Sequence, residues 1–233
     1  MPRPRTPLLD RRRIGAAALR LADDQGVLTI PALARELGVA PSALYHHVSG
    51  RDEIISLMRE ELARETSPDA WDAAQPWGQA LEEWARSYRR AFAAHPGAVP
   101  LLATAPLAEP LLHAMYEKVA RLLLTAGFGA SQVMPLITAM ESFILGSALD
   151  LVAPPVMVRD VTRVTAPHLT AVLAHTPADH RRAELAFDVG LRALITGFRA
   201  LLPPVTGAHG PTPLTPLTQV AQVTQGLTGG APS

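Results

Sequence analysis

The chain has 233 residues, of which 48% are apolar and 18% are charged, and its formal net charge is zero. This length and composition fit a soluble globular protein of one large domain or two smaller ones, and the balanced charge gives the molecule as a whole no general affinity for polyanions. Cysteine is absent, which excludes disulfide bonds, thiolate metal sites and cysteine nucleophiles.

Positive charge is nevertheless concentrated near the N-terminus. Through residue 51 there are eight arginines against four acidic residues, an excess of four positive charges. Arginine can make forked contacts to phosphate or guanine, although a general compositional preference for arginine over lysine accounts for these residues equally well. Residues 1–10 are predicted to form a flexible basic arm.

The sequence also bears on location. No apolar run approaches the length of about 18 residues that a membrane-spanning helix requires, and no hydrophobic stretch follows the basic N-terminus as it would in a secretory signal. We therefore expect no membrane contact and a cytoplasmic location.

The first helix is predicted over residues 11–25, RRRIGAAALRLADDQ. Its apolar residues, including Ile14, Ala18 and Leu21, recur at spacings of three and four, as on the buried face of an amphipathic helix. Gly26 supplies the stop signal.

Two short helices are predicted next. Thr29 can cap the second helix, IPALAREL, and Gly38 ends it. The third helix begins at Pro41 or Ser42 and carries apolar residues four apart, at Leu44 and Val48. Two short helices joined by a turn glycine meet the steric needs of a helix-turn-helix.

A longer fourth helix follows, for which Ser49 is the expected N-cap. Its apolar residues continue to about Arg64, and residues 52–64 are expected to connect the N-terminal helices to the rest of the chain. The segment SPDAWDAAQP then interrupts the helical pattern.

The second half of the chain is also predicted to be helical. Helices are expected over residues 77–94, 110–126, 131–152 and 178–202, with a short segment near residues 100–105. Residues 153–179 are expected to be a loosely structured connection, and residues 203–233 have the composition of a disordered tail. Because no segment shows sustained period-two alternation, the fold class is all-α.

The third helix has the side chains of a nucleic-acid reader. Small residues would let its N-terminus approach a major groove, Ala43 could meet a thymine methyl group, and Tyr45 could donate to a phosphate or base edge. The alternative is a helical hairpin whose histidines are simply exposed to solvent.

The stretch LTIPALARELGVAPSALYHHVSGRDEI resembles the DNA-binding domain of the TetR family of transcriptional regulators. Two later stretches, SYRRAFAAHPGAVPLLATAP and AFDVGLRALITGFRALL, are similar to the C-terminal ligand-sensing domain of the family's tetracycline-repressor subgroup. The resemblance implies a helix-turn-helix domain at residues 11–51 and a regulatory and dimerisation domain at residues 52–202.

The family's DNA contacts can be carried over by position. They fall on Pro41, Ser42, Ala43, Tyr45, His46 and His47, with backbone contacts from Ser49 and Arg51 and a phosphate contact from Thr29. Two positions depart from the subgroup, since Pro31 replaces an arginine and Pro41 replaces a glutamine. The resemblance therefore implies shared docking but a different operator. Arg3 and Arg5 could enter a minor groove, or could belong to a basic tail that contacts nothing.

The resemblance further implies a homodimeric repressor that binds a palindromic double-stranded operator and is released by a small-molecule effector. Residues 131–152 and 178–202 would pair with their copies in a four-helix interface, the alternative being that each packs only within its own subunit. A dimer of this kind holds its two recognition helices roughly 34 to 36 Å apart.

Part of an apolar set in the second half would line the effector cavity, although core packing explains the same residues. The candidate pocket residues are Trp84, Tyr88, Phe92, Leu101, Thr104, Met115, Tyr116, Val119, Met134, Ile137, Met140, Glu141 and Ile144. The subgroup's histidines and acid for a magnesium-bound drug have no counterparts here, so we expect no metal, no cofactor and a more apolar effector.

The sequence contains no catalytic constellation: there is no metal-binding histidine pair, glycine-rich phosphate loop or nucleophile elbow. We therefore expect no enzymatic activity. The alternative of a different class is an all-helical small-molecule-binding protein or enzyme whose N-terminal helices are only scaffold.

Overall fold

The computed structural model describes residues 9–66, 75–162, 164–179 and 181–204. All regular structure in these ranges is helical, as predicted. The helices are α1 (Arg11–Gln25), α2 (Ile30–Leu37), α3 (Pro41–Leu44), α4 (Arg51–Glu65), α5 (Trp77–Ala94), α6 (Val99–Ala103), α7 (Pro110–Thr125), α8 (Ala130–Val152), α9 (Pro167–Leu173) and α10 (Arg181–Ala200). The predicted arm and tail lie almost entirely outside the described residues, as does most of the interruption between α4 and α5.

Local capping signals set the bounds of the first two helices. The Thr29 hydroxyl accepts a hydrogen bond from the Ala32 N–H at 3.3 Å, as predicted for the N-cap of α2. Gly26 and Gly38 end α1 and α2 with φ angles of 65° and 69°, a left-handed conformation in which a side chain would be strained.

The third helix is shorter than predicted. Regular α-helix ends at Leu44, and the N–H groups of His46 and His47 donate to carbonyl groups only three residues back. Such tighter bonds satisfy the carbonyl groups at the end of a single-turn helix. The Val48 N–H still bonds to the Leu44 carbonyl at 3.0 Å, so the two apolar residues face the core together.

The predicted N-cap of α4 is wrong. Gly50 directly precedes the helix, and no side chain caps it. The N–H and the hydroxyl group of Ser49 both donate to Oε2 of Glu53, at 2.7 and 2.9 Å. Because the hydroxyl group serves as a donor to this carboxylate, Ser49 fixes the first turn of α4 from outside the helix.

Two apolar clusters form the core. The first joins α1 to α4 and continues into the second half of the chain through Phe92, Val99 and Leu102. The second lies between α5, α7, α8 and α10. Helices α1 and α4 lie so close that a Cβ atom at Gly15 would stand 2.7 Å from the Leu57 carbonyl oxygen. The N-terminal helices are therefore packed firmly onto α4.

Helix α8 corrects one statement made from the sequence. By length and composition it could span a membrane. Within the described residues, 28% of its most apolar stretch is buried. Core and interface helices of soluble proteins can have the same length and apolar composition. Large apolar side chains stay exposed on α8 and α10, namely Met134, Leu149, Val152, Leu185 and Val189.

The connection between α8 and α10 is more ordered than predicted. It contains α9, a helix of 7 residues, where the sequence indicated a loose segment with about one turn. Pro167 begins this helix, a position where the missing N–H costs no hydrogen bond.

Candidate DNA-binding surface and effector cavity

The recognition surface consists of the six predicted contact residues of α3 and the following turn: Pro41, Ser42, Ala43, Tyr45, His46 and His47. Leu44, which lies among these residues, and Val48, which follows them, are 0% and 2% exposed. Tyr45 is 58% exposed, while Ala43 and His47 are half-buried and the other three are exposed. The structure thus brings the predicted residues together on one outward-facing surface held down by two apolar side chains.

The predicted contacts outside α3 flank this surface. Thr29, Ser49 and Arg51 are all exposed. Thr29 already accepts the N-cap bond of α2, which leaves its hydroxyl proton available to a phosphate oxygen. Ser49 is committed to Glu53, whereas Arg51 begins α4.

A polar network that the sequence did not predict fixes the end of the recognition surface. Arg11 donates to the His47 carbonyl oxygen at 3.0 Å and pairs with the Glu53 carboxylate. The Ser49 N–H, then the Arg11 side chain and the Ser49 hydroxyl group, lower the pKa of Glu53 to about 2. The network joins α1, α4 and the turn at residues 45–47 that follows α3, called the recognition turn below. Its local sequence signal is the spacing of Ser49 and Glu53.

A cavity of about 130 Å³ lies among α4, α5, α7, α8 and the segment around α6. It is lined by Arg59, Tyr88, Phe92, Leu102, Ala103, Ala105, Leu107, Tyr116, Glu141 and Leu145. Four predicted pocket residues are in this set: Tyr88, Phe92, Tyr116 and Glu141.

The other predicted pocket residues lie elsewhere. Six of them do not line the cavity but belong to the apolar core: Trp84, Met115, Val119, Ile137, Met140 and Ile144. Leu101 and Thr104 line a neighbouring cleft of about 470 Å³ beside the first turns of α4, and this cleft shares Arg59 and Ala105 with the cavity. Met134 is 52% exposed, because it lies on the face of α8 that points away from the core.

Besides the Arg59 guanidinium, the cavity is lined by two phenols and one carboxylate, those of Tyr88, Tyr116 and Glu141. The Tyr116 hydroxyl group donates to Oε1 of Glu141 at 2.5 Å. Burial raises the pKa of Glu141, and the bond from Tyr116 opposes that rise only in part. Burial, followed by the charge of Glu141, raises the pKa of Tyr88. Both phenols therefore remain neutral hydrogen-bond donors at ordinary pH.

Arg59 of α4 forms one wall of the cavity and was not predicted. Its Nη1 atom contacts Oε1 of Glu109 at 3.0 Å and the Pro106 carbonyl oxygen at 2.8 Å. Its Nη2 atom contacts the carbonyl oxygens of Leu102 and Ala105, each at 2.9 Å. Arg59 thereby fastens the connecting helix to the end of α6 and the start of α7.

Glu109 is held in its charged form. Burial alone would raise its pKa, but hydrogen bonds from Ser56 and the Ala108 N–H, together with the charge of Arg59, lower the pKa overall. Arg59 and Glu109 therefore form an ion pair in which both groups are charged, and both side chains are almost fully buried.

Comparison with known proteins agrees with this architecture. Residues 14–58 match the family described as bacterial regulatory proteins, tetR family, and residues 72–202 match the tetracyclin repressor-like C-terminal domain. The chain belongs to the TetR family of bacterial transcriptional regulators. It is therefore a DNA-binding protein of the helix-turn-helix type, within a family whose members bind operators as dimers and respond to ligands.

Similar proteins cover most of the chain. The class E tetracycline repressor of Escherichia coli is 31% identical over 189 residues, which are 79% of this chain and 88% of the repressor. The class D repressor of the same organism is 30% identical over 83% of this chain and 91% of its own length. A solved structure of a possible TetR family regulator from Streptomyces coelicolor A3(2) superposes with a TM-score of 0.69 at 26% identity, covering 82% of this chain and all of that one.

Proposed function

We propose that this TetR-family regulator is a cytoplasmic homodimeric repressor, which binds a palindromic operator and is released when a small molecule occupies the cavity at Arg59. One observation carries the proposal: the connecting helix α4 contributes a cavity wall from its middle and is joined at its N-terminal end to the turn that follows α3. Arg59 forms that wall, and Glu53 makes the joint through Ser49 and Arg11.

The recognition surface supports docking in a major groove. Its small residues, Ser42 and Ala43, come first along α3 and would let the backbone approach base edges, while Tyr45 and His46 extend further out. Thr29 and Arg51 lie where they could contact phosphates on either side. Since Pro31 and Pro41 have no side-chain donors, the operator should differ from that of the tetracycline repressors.

The apolar surface of α8 and α10 supports dimerisation. Soluble monomers rarely leave contiguous large apolar patches exposed, and Met134 and Val189 are 52% and 66% exposed in the protomer. Pairing of these two helices with their copies would bury that surface and space two recognition surfaces for a palindrome.

Release follows from differential affinity. An effector shifts the population toward a conformation only if it binds that conformation more tightly. An effector that displaces the segment around α6 would pull on the Arg59 bonds, and α4 would transmit the shift to Ser49 and the recognition turn. The two recognition surfaces of the dimer would then lose the spacing that the operator requires.

The proposal is tested by selecting bound sequences from random double-stranded DNA with the purified full-length protein. We expect one enriched palindrome, a steep loss of affinity with salt, and a clear preference over bulk DNA. Binding of all sequences alike, or no binding, would contradict the proposal and favour a small-molecule-binding protein with a scaffold helix-turn-helix.

A further inference from the structure

The cavity at Arg59 contains a carboxylate that lacks a cation. Glu141 accepts one hydrogen bond from Tyr116 through Oε1, and no arginine, lysine or histidine among the described residues forms an ion pair with it. Glu141 is half-buried, and partial burial without a paired cation penalises the charged form of this carboxylate.

The cationic side chain in the described lining of the cavity is already paired with another carboxylate. Arg59 also lines the cavity, but its terminal nitrogens contact the Glu109 carboxylate and three backbone carbonyl oxygens. The charges of Arg59 and Glu109 cancel as a buried pair. When Glu141 is ionised, the cavity wall therefore carries one uncompensated negative charge.

Three aromatic residues line the cavity together with this carboxylate. Tyr88, Phe92 and Tyr116 line the cavity with Glu141, and the rings of Tyr88 and Phe92 stand 4.7 Å apart. Aromatic faces attract cations, most strongly where water is excluded. A carboxylate and aromatic rings that line one cavity are groups that can recognise an ammonium group.

We infer that the effector of this cavity carries a protonated amine on an apolar or aromatic ring, with the ammonium group against Glu141 and the ring between Tyr88, Phe92 and Tyr116. The inference rests on the proposed function, in which this cavity is the effector site. It excludes anionic effectors, since a carboxylate or phosphate would meet Glu141 with like charge.

The size of the cavity limits what enters without a rearrangement. Its volume of about 130 Å³ is close to the roughly 150 Å³ of an apolar cavity that holds one benzene ring. A single-ring amine such as benzylamine is therefore a suitable probe. A larger amine would have to displace the segment around α6, which carries the carbonyl oxygens that hold Arg59.

The experiment compares three single-ring probes of nearly equal size with the purified full-length protein: benzylamine, benzyl alcohol and benzoate. Binding is followed by calorimetry and by tryptophan fluorescence, to which Trp84 contributes; its ring stacks on that of Tyr88 at 5.5 Å. We expect benzylamine to bind at least about tenfold more tightly than benzyl alcohol, and benzoate to bind least.

A matched pair of variants locates the charge. Glu141→Gln keeps the size and an acceptor for Tyr116 but removes the charge, so it should lose the preference for the amine while binding benzyl alcohol within about twofold of the wild type. Glu117→Gln removes one charge from the exposed face of α7 next to Tyr116 and should keep the preference. Because the wild-type comparison needs no variant, the inference can be tested even if Glu141→Gln does not fold.

Several results would overturn the inference: benzyl alcohol or benzoate binding as tightly as the amine, an amine preference that survives in Glu141→Gln, or no binding of benzylamine at millimolar concentration. Operator selection on the same preparation separates this failure from that of the proposed function. A selected palindrome without an amine preference overturns only the inference, whereas an amine preference without any selected DNA overturns the proposed function.

Discussion

The Nη1 atom of Arg59 lies 3.0 Å from Oε1 of Glu109, and the two side chains are 5% and 3% exposed. Fifty positions separate the two residues along the chain, and the pair joins the connecting helix α4 to the start of α7. A buried ion pair of this kind contributes little net stability compared with apolar packing, but loss of one partner leaves an uncompensated charge in the interior. The pair therefore makes the α4 to α7 contact specific and sensitive to displacement.

Replacement of Arg59 by methionine should be strongly destabilising. Arg59→Met leaves the buried Glu109 carboxylate without its paired cation, and we expect the free energy of unfolding to fall by about 3 to 5 kcal/mol. Arg64→Met on the same helix removes an exposed guanidinium paired with Glu60 and Glu61 and should cost about 1 kcal/mol or less. Urea denaturation followed by circular dichroism measures both values.

The double variant tests the physical reason. Arg59→Met combined with Glu109→Leu removes both charges, so a large part of the lost stability should return. Equal losses for Arg59→Met and Arg64→Met, or no recovery in the double variant, would show that the buried pair does not control this contact.

The sequence predicted the elements better than their contacts. Thr29, Gly26 and Gly38 act through neighbouring backbone groups, so their effect on helix bounds can be read locally. The pairing of Arg59 with Glu109 depends on how distant helices pack, and no local pattern signals it. The third helix was predicted too long because its apolar spacing continues to Val48 although its hydrogen bonding tightens after Leu44.

The candidate cavity shows the same limit. Helix α8 is apolar nearly all round, so its sequence did not indicate which face points inward. Met140 is fully buried, whereas Met134 on the same helix is 52% exposed. Tyr116 and Glu141 were predicted as polar groups that orient a ligand, but their mutual hydrogen bond requires α7 and α8 to be adjacent, which only the fold establishes.

Stability should depend on pH through Glu53. The folded-state pKa of Glu53 is about 2 against an ordinary value of 4.5, so folding favours the ionised carboxylate. The resulting stabilisation is fully present above pH 4.5 and is lost as the pH falls from 4.5 toward 2. Glu53→Gln should flatten the pH dependence of unfolding in this window, measured by urea denaturation at a series of pH values.

Ser49→Ala gives a graded comparison. This variant removes the hydroxyl donor but keeps the Ser49 N–H, which has the largest effect on the pKa of Glu53. Its unfolding profile should lie between those of the wild type and Glu53→Gln. A Glu53→Gln profile that coincides with the wild-type profile below pH 4.5 would exclude this role of the network.

Operator binding should depend on the side chains of the recognition surface. If Tyr45 and His47 touch bases, Tyr45→Ala and His47→Ala should each weaken binding to the selected operator by about 1 to 3 kcal/mol. His113→Ala on exposed α7 is the matched control and should leave operator affinity unchanged. Fluorescence anisotropy at fixed salt measures all three, and unaltered affinity in both recognition variants would refute the contact assignment.

The oligomeric state should depend on the exposed apolar surface of α8 and α10. Val189 is 66% exposed in the protomer, and a glutamate at this position would bury two like charges at a two-fold interface. Val189→Glu should raise the dimer dissociation constant roughly a hundredfold, which corresponds to about 2.7 kcal/mol. Sedimentation equilibrium should then find the 24.8 kDa chain as a monomer where the wild type has twice that mass.

A matched variant separates the interface from a general effect of added charge. Leu124 on α7 is 47% exposed and lies outside the proposed interface, so Leu124→Glu should leave the dimer intact. Because a palindrome is bound by two recognition surfaces at once, Val189→Glu should also lose most of its operator affinity while each protomer stays folded. A monomeric wild type would contradict the proposed dimer. A Val189→Glu dimer that binds the operator normally would show that the interface lies elsewhere.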